Sequence, residues 1–162
     1  MKIVYVLISL LFFVISGCTA SLESPDYKFE PLVFQSVVGS DFSLVSEAKD
    51  LLLDYTELAP STIGEMSVST VGVWRVYDFN LEDLCGRQGC LYLITRNGSV
   101  KSEFVKKRTH PDLSLWAYQP SYEILRYYKL SDREGFVDTV DFRFSSGSIV
   151  KETGTVAIDL LR

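Results

Sequence analysis

The period of the apolar residues changes once along this chain, from a helical spacing to an alternating one. Over residues 41–58 the apolar side chains recur every three or four positions, which predicts a helix with one apolar stripe: Leu44, Ala48, Leu51, Leu52, Tyr55 and Leu58. From residue 68 onward apolar and polar residues alternate, as in β-strands that bury one face. The order predicts an α+β fold, in which one early amphipathic helix packs on a mainly antiparallel β-sheet.

Turn residues divide the alternating part into strands. Asn97-Gly98 is the dipeptide that most strongly indicates a two-residue hairpin, and it separates predicted strands at 90–96 and 100–107. Pro60 ends the predicted helix, and Asp41 or Ser43 can cap its start. The remaining predicted strands, which together can form a curved sheet or a partial barrel, are 32–38, 68–79, 115–118, 122–130, 136–144 and 149–160.

The first 17 residues have the layout of a secretory signal peptide. Lys2 precedes an apolar run from Ile3 to Ile15, and small residues follow before Cys18. As a helix the run would be roughly 20 Å long, whereas a membrane-spanning helix must cross about 30 Å of hydrocarbon. A cleaved signal is therefore the preferred interpretation.

The end of this segment, Ile15-Ser16-Gly17-Cys18, resembles the bacterial lipobox. The resemblance implies that a diacylglyceryl group is attached to the Cys18 sulfur, that cleavage occurs before this residue, and that the lipids anchor the mature protein in a membrane. Thr19 rather than Asp follows the cysteine, which points to the outer membrane, facing the periplasm. The predicted organisation is a signal peptide (1–17), a lipidated tether (18–31) and one periplasmic domain (32–162).

The two other cysteines are predicted to form a disulfide bond. Cys85 and Cys90 enclose Gly86-Arg87-Gln88-Gly89, and an even number of cysteines in an oxidising compartment favours pairing. So short a loop adds only about 2 kcal/mol by the chain-entropy model. Two thiols and one distant histidine do not provide a tetrahedral ligand set, so we predict no metal here.

The charge of the chain makes nucleic acid an unlikely class of partner. The formal net charge is −5, and binding to a phosphate backbone needs clustered cations. One short cluster, Lys106-Lys107-Arg108, is interpreted either as a solvated turn or as a contact for anionic headgroups or an acidic protein surface.

No group of residues predicts an enzyme. Ser46 and Lys49 have the spacing of a serine–lysine pair, but the accompanying motifs are absent, so both are interpreted as polar positions on the helix. Asp78, Asn80 and Glu82 alternate as in the start of a calcium loop, without its glycine and bidentate glutamate. We therefore predict no catalytic residues, no metal and no cofactor.

One stretch is rich in aromatic residues. Trp116, Tyr118, Tyr122, Tyr127 and Tyr128 lie within 13 positions. Aromatic residues in strands form sheet core, or else a surface that contacts sugar, peptide or protein. The second interpretation makes Trp116, Tyr118 and Tyr122 a candidate contact surface.

These features favour a non-catalytic binding or envelope-assembly module, anchored by its lipid and acting on an envelope protein. A carrier of a lipid or small apolar ligand inside a curved sheet is an alternative. A second alternative is an inhibitor of a periplasmic enzyme that presents the Cys85–Cys90 loop.

The inhibitor alternative comes from a resemblance to one family of lysozyme inhibitors. The chain is similar in the order helix, Cys-x4-Cys loop, hairpin, with residues 85–90 followed by Leu91–Arg96 and the Asn97-Gly98 turn. The family's loop contains Lys-Pro-His-Asp, whereas this chain has Gly-Arg-Gln-Gly at 86–89. The resemblance implies that Arg87 would be the residue that pairs with catalytic carboxylates.

The lipobox predicts that Cys18→Ser abolishes lipid attachment and the processing that follows it. Without the cysteine sulfur no diacylglyceryl group can be attached, so we expect the variant chain to keep its signal or to leave the membrane fraction. Membrane fractionation with intact-mass measurement checks this, and normal processing and anchoring of the variant would contradict the lipobox assignment.

Overall fold

The computed structural model describes residues 28–37, 42–55, 66–80 and 84–161, which include one α-helix, two 3₁₀ helices (Pro120–Tyr122 and Ile158–Leu160) and eleven strands. The predicted signal peptide, Cys18 and the first part of the predicted tether lie outside the described residues. Among the described residues, no helix is both long and apolar enough to cross a bilayer.

The strands form two antiparallel sheets rather than the single sheet that the sequence predicted. Sheet 1 has the order β1-β8-β9-β10-β11, and its strands are Glu30–Pro31, Trp116–Gln119, Ile124–Leu130, Phe136–Ser145 and Ser148–Ala157. Sheet 2 runs β2-β3-β4-β6, with β5 and β7 on opposite sides of β6. Its strands are Gln35–Val37, Met66–Val71, Trp74–Asp78, Cys85–Gly86, Gly89–Arg96 and Ser99–Val105.

The main core lies between the two sheets. Trp116 of sheet 1 is 1 % exposed, and its ring centroid lies 5.4 Å from Tyr92, 5.2 Å from Tyr127 and 6.0 Å from Phe142. Aliphatic and aromatic side chains of both sheets complete the cluster, including Trp74, Val76, Ile94, Leu125 and Val140. The alternating pattern arises because one face of each strand enters this layer.

The helix α1, Phe42–Tyr55, covers the other face of sheet 2. Ala48 and Leu52 of its predicted stripe are buried against Met66, Tyr77 and Leu93. An ion pair from Arg75 on β4 to Glu47 also joins the helix to the sheet. The predicted helix is thus present over Phe42–Tyr55, and its predicted last turn, residues 56–58, lies outside the described residues.

A smaller cluster covers the outer face of sheet 1. Arg126 donates two hydrogen bonds to Asp141, at 2.5 and 2.7 Å, and the Phe29 ring lies 3.9 Å from its guanidinium carbon. Ala117, Tyr128 and Val137 are buried beside it. Alternation along β10 predicted one buried face, but both faces are covered, because Phe29 and the end of the chain pack on the second one.

The first described segment joins the sheets along one side. Pro31 pairs with Ala117 in sheet 1, Leu32 N donates to Trp116 O at 3.0 Å, and Gln35 then pairs with Val68 in sheet 2. The chain therefore passes from one sheet to the other between residues 32 and 35. On the opposite side, Ser99 Oγ donates to Gly147 O at 3.0 Å and connects β7 with the β10–β11 turn.

These connections define two ends of the molecule. The turn end carries the turns at Asn97-Gly98 and Ser146-Gly147, together with Glu123. The Glu123 carboxylate pairs with Arg96, and its backbone carbonyl accepts a hydrogen bond of 2.8 Å from Trp74 Nε1. Lys28 lies at this end, because β1 runs antiparallel to β8. The disulfide end carries Cys85 and Cys90, about 23 Å away at ~3.3 Å for each residue of β6.

Several predicted boundaries require correction. The predicted strand 68–79 is a hairpin, β3 and β4, whose turn contains Gly72 at φ +56°. The predicted strand 32–38 is limited to 35–37, because the preceding residues form the crossing between sheets. The last residues of the predicted tether belong to the folded domain, because Phe29 packs on sheet 1 and Glu30–Pro31 pair with β8. The Asn97-Gly98 hairpin is confirmed, with φ +47° and +78°.

The packing predicts a sharp contrast between two aromatic residues. Trp116→Ala should lower the free energy of unfolding by about 3–5 kcal/mol, because it empties the middle of the inter-sheet core. Tyr122→Ala should lower it by less than about 1 kcal/mol, because that side chain is 52 % exposed. Denaturant unfolding checks both, and similar losses for the two variants would contradict this core.

Candidate interaction surface

The disulfide bond forms as predicted and closes a short exposed hairpin. The Cys85 and Cys90 sulfurs are 2.10 Å apart. Cys85 pairs with Cys90 and Gly86 with Gly89 across the hairpin, which leaves Arg87 and Gln88 at its tip. Residues 85–88 are all exposed, so the tip is accessible to a partner.

The residues that flank this hairpin on both sides are buried in the hydrophobic core. Leu84, immediately before the first cysteine, and Leu91, immediately after the second, are buried in the helix-side cluster. Cys90 itself packs against the inter-sheet cluster. The hairpin is therefore fixed at its base on two sides, and the disulfide bond adds a covalent constraint.

Gly89 brings the hairpin into contact with the end of β7. Its φ is +126°, and a Cβ built there would lie 2.4 Å from the Val105 carbonyl carbon and 2.6 Å from Lys106 N. Only glycine permits this approach of two backbones. The basic segment 106–108 consequently begins directly beside the disulfide hairpin.

A polar network holds the middle residue of the basic segment. Lys107 Nζ donates to Asn80 Oδ1 at 2.9 Å and lies 3.3 Å from Asp78 Oδ1. Asp78 also accepts from Asn80 N at 2.9 Å and from the Tyr92 hydroxyl at 3.1 Å. Burial, reinforced by the nearby Asp78 carboxylate, raises the pKa of Tyr92 above its usual value.

The network explains the alternating oxygen side chains in the sequence. Asp78 and Asn80 place their oxygens around the Lys107 ammonium group, which is the cation that these oxygens contact in the structure. Glu82, the third member of that pattern, lies outside the described residues. Within the described part of the chain, no group of three metal-ligating side chains occurs.

The other cations of this end point outward. Arg87, Lys106 and Arg108 are exposed, and no ion pair joins any of them to a carboxylate of the described residues. We call the hairpin tip, Arg87 and Gln88, together with Lys106 and Arg108, the basic end surface. Its chemistry is that of a cationic hydrogen-bond donor surface, which favours carboxylate or phosphate ligands.

The predicted aromatic contact surface is not assembled. Trp116 and Tyr118 are buried, so they belong to the core, as the first interpretation of that stretch had it. Only Tyr122 is exposed, and it lies at the turn end, away from the disulfide hairpin. The physical reason is the face that each residue occupies: β8 directs both side chains into the space between the sheets.

Two carboxylates of β10, Asp138 and Asp141, lie on opposite faces of the strand. Asp138 lies 3.7 Å from Lys129, whereas Asp141 pairs with Arg126 on the other face of β10. Asp138, together with Lys129, Thr153 and Thr155, lines a polar groove of about 270 Å³. Ser46 and Lys49 are both part of α1, as the sequence predicted.

The sequence did not predict that the basic segment and the disulfide hairpin are neighbours. Fourteen residues lie between Cys90 and Val105 in the sequence, yet the two pair across β6 and β7. The available signal was the Asn97-Gly98 turn, whose register places these positions opposite each other. No signal indicated the approach at Gly89, because it depends on the conformation of that one residue.

Comparison of the chain with protein-family models, with curated proteins and with solved structures gives no match.

The close approach predicts different effects for two glycines of one hairpin. Gly89→Ala should destabilise the fold by about 1–3 kcal/mol, because its methyl group overlaps the β7 backbone. Gly86→Ala should change stability by less than about 0.5 kcal/mol, because a Cβ there meets no atom within 4 Å. Thermal or denaturant unfolding checks the pair, and equal effects would contradict the described approach of the hairpin to β7.

Proposed function

We propose that this protein is a lipid-anchored, non-catalytic module of the bacterial envelope, which binds an acidic surface of a partner protein through its basic end surface. The observation that carries the proposal is the juxtaposition of the fixed disulfide hairpin with the outward cations Arg87, Lys106 and Arg108. The anchoring rests on the lipobox resemblance at Cys18.

Rigidity favours binding by this hairpin. A loop that is already ordered before binding loses little conformational entropy when the partner arrives. The base of the hairpin is buried on two sides, and Lys107 is held by Asp78 and Asn80. The neighbouring cations are therefore displayed from a fixed platform rather than from a mobile loop.

The position of the tether supports this choice of surface. The described chain starts at Lys28, at the turn end, whereas the basic end surface lies at the disulfide end. Residues 18–27 would span at most about 35 Å. An anchor attached at the turn end leaves the opposite end free to contact another molecule.

A protein is a better partner for this surface than a membrane. Recognition of anionic headgroups commonly uses clusters of about 4–8 Lys and Arg residues. The outward cations here are three, in a chain of net charge −5. A few cations in fixed positions suit the specific pairing of carboxylates, which depends on geometry more than on total charge.

A second candidate function is inhibition of a lysozyme-type enzyme. Arg87 lies at the tip of an exposed disulfide hairpin, and a guanidinium group can bind a carboxylate in a bidentate manner. The loop sequence differs from that of the similar inhibitor family, so this candidate needs its own assay. The carrier alternative has less support, because aromatic rings of Trp116, Tyr127 and Phe142 fill the space between the sheets.

The proposal predicts that reversing the basic end surface abolishes partner capture. Cells producing the full chain are crosslinked, and the protein is purified by affinity and identified with its partners by mass spectrometry. We expect a discrete envelope protein with the native chain, and loss of that protein with the combined variant Arg87→Glu, Lys106→Glu, Arg108→Glu.

Arg143→Glu is the matched control, because it reverses an exposed charge on β10 away from the disulfide end. It should retain the partner, while thermal unfolding shows whether all variants fold. Capture by the triple variant at the native level would contradict the proposal. Lysozyme inhibition by the purified chain that disappears in Arg87→Ala would instead establish the inhibitor function.

A further inference from the structure

The strand β11 is an edge strand with one half uncovered. It pairs with β10 alone, over ten consecutive residue pairs. Its first half lies beside β7, where Lys151 Nζ is 2.6 Å from Glu103 Oε1. Beyond Lys151, no other strand of the described chain pairs with its outer side, and residues 151–155 are all exposed.

The hairpin register determines which backbone groups point outward. Ser146 and Gly147 have φ of +52° and +80°, as in a two-residue hairpin turn. In such a hairpin the residues on either side of the turn, here Ser145 and Ser148, form a hydrogen-bonded pair. Alternation along the ladder then directs the N–H and C=O groups of Thr153 and Thr155 away from β10, and those of Gly154 toward it.

Within this uncovered half, residues 152–157, Glu152 is the single charged residue, and the segment that follows it lacks the features that usually protect a sheet edge. Such edges carry prolines, charged residues or a bulge that prevents further pairing. Thr153-Gly154-Thr155-Val156 contains no proline and no charge, and the pairing with β10 is uninterrupted. The segment is thus ready to accept another strand.

We propose that the uncovered half of β11 pairs with the same segment of a second copy of this chain, in an antiparallel two-fold arrangement centred on Gly154. Sheet 1 of each copy, five-stranded on its own, becomes half of one continuous sheet.

The sequence of the segment is complementary to itself in this register. Thr153 lies opposite Thr155 of the partner subunit, and threonine–threonine pairs are favourable across strands. Glu152 lies opposite Val156 of the partner subunit, so no two like charges meet. The two Thr153–Thr155 pairs supply four main-chain hydrogen bonds from groups that already point outward.

A second copy is a better occupant than an unrelated strand for two reasons. Two-fold dimers are the commonest closed assemblies of soluble proteins. The complementarity described above also holds between two copies of this segment, so it requires no assumption about the sequence of another protein. Gly154 would face its own counterpart on the axis with Cα atoms about 4.5 Å apart, as in pairs without mutual hydrogen bonds.

The first experiment measures the mass of the full chain, purified from membranes in a non-ionic detergent, by density-matched sedimentation equilibrium. We expect a dimer for the native chain and a monomer for Thr153→Pro, which removes an outward N–H while leaving the β10 ladder intact. Thr153→Val is the matched control, because it keeps that N–H and should remain a dimer.

The second experiment does not depend on a proline being tolerated. Gly154→Cys should give a disulfide-linked dimer on mild oxidation of membranes, because cysteines at the two-fold axis lie within bonding distance. Ser121→Cys, at an exposed position on the β8–β9 connection, should not. A monomeric native chain, a dimeric Thr153→Pro variant, or capture of a different protein by the Gly154→Cys variant would each overturn the proposal.

Discussion

The contact of Trp116 with aromatic rings of both sheets is the interaction on which the rest of this structure depends. Tyr127 and Phe142 approach its ring from its own sheet, and Tyr92 from the other one. Burying such rings contributes a large share of the hydrophobic free energy of a small domain. The two sheets are held face to face by this layer, and every other feature is arranged around it.

The position of the basic end surface follows from that layer. Tyr92 takes part in it with its ring, while its hydroxyl donates to Asp78 at the end of β4. Asp78 in turn holds Lys107. One aromatic residue thus connects the core to the surface where the outward cations lie, and the arrangement of those cations depends on correct packing between the sheets.

Local features of the fold could be predicted from the sequence, and non-local ones could not. The helix, the Asn97-Gly98 hairpin and the Cys85–Cys90 bond depend on residues close in sequence, and all three are present. The division into two sheets depends on which strands meet: β8 pairs with β1, far earlier in the chain. Alternation of apolar residues gives no information about such a choice of neighbour.

The same distinction applies to the candidate site. Its hairpin was identified from two cysteines and two glycines, and its cations were visible as a cluster. Their proximity is a consequence of β6–β7 pairing and of the positive φ of Gly89. Conversely, the aromatic stretch suggested a surface that does not exist, because residue type alone does not reveal which face of β8 becomes buried.

The direction in which the chain enters the domain has a mechanical consequence. From Lys28 the backbone runs toward the disulfide end, so a load applied through a membrane anchor would pull β1 back along its own axis. Hydrogen bonds that lie perpendicular to a strand then share such a load together instead of breaking one after another. The stacking of Phe29 on Arg126 adds resistance at the same point. Tension applied through the proposed anchor would thus load these paired strands in shear.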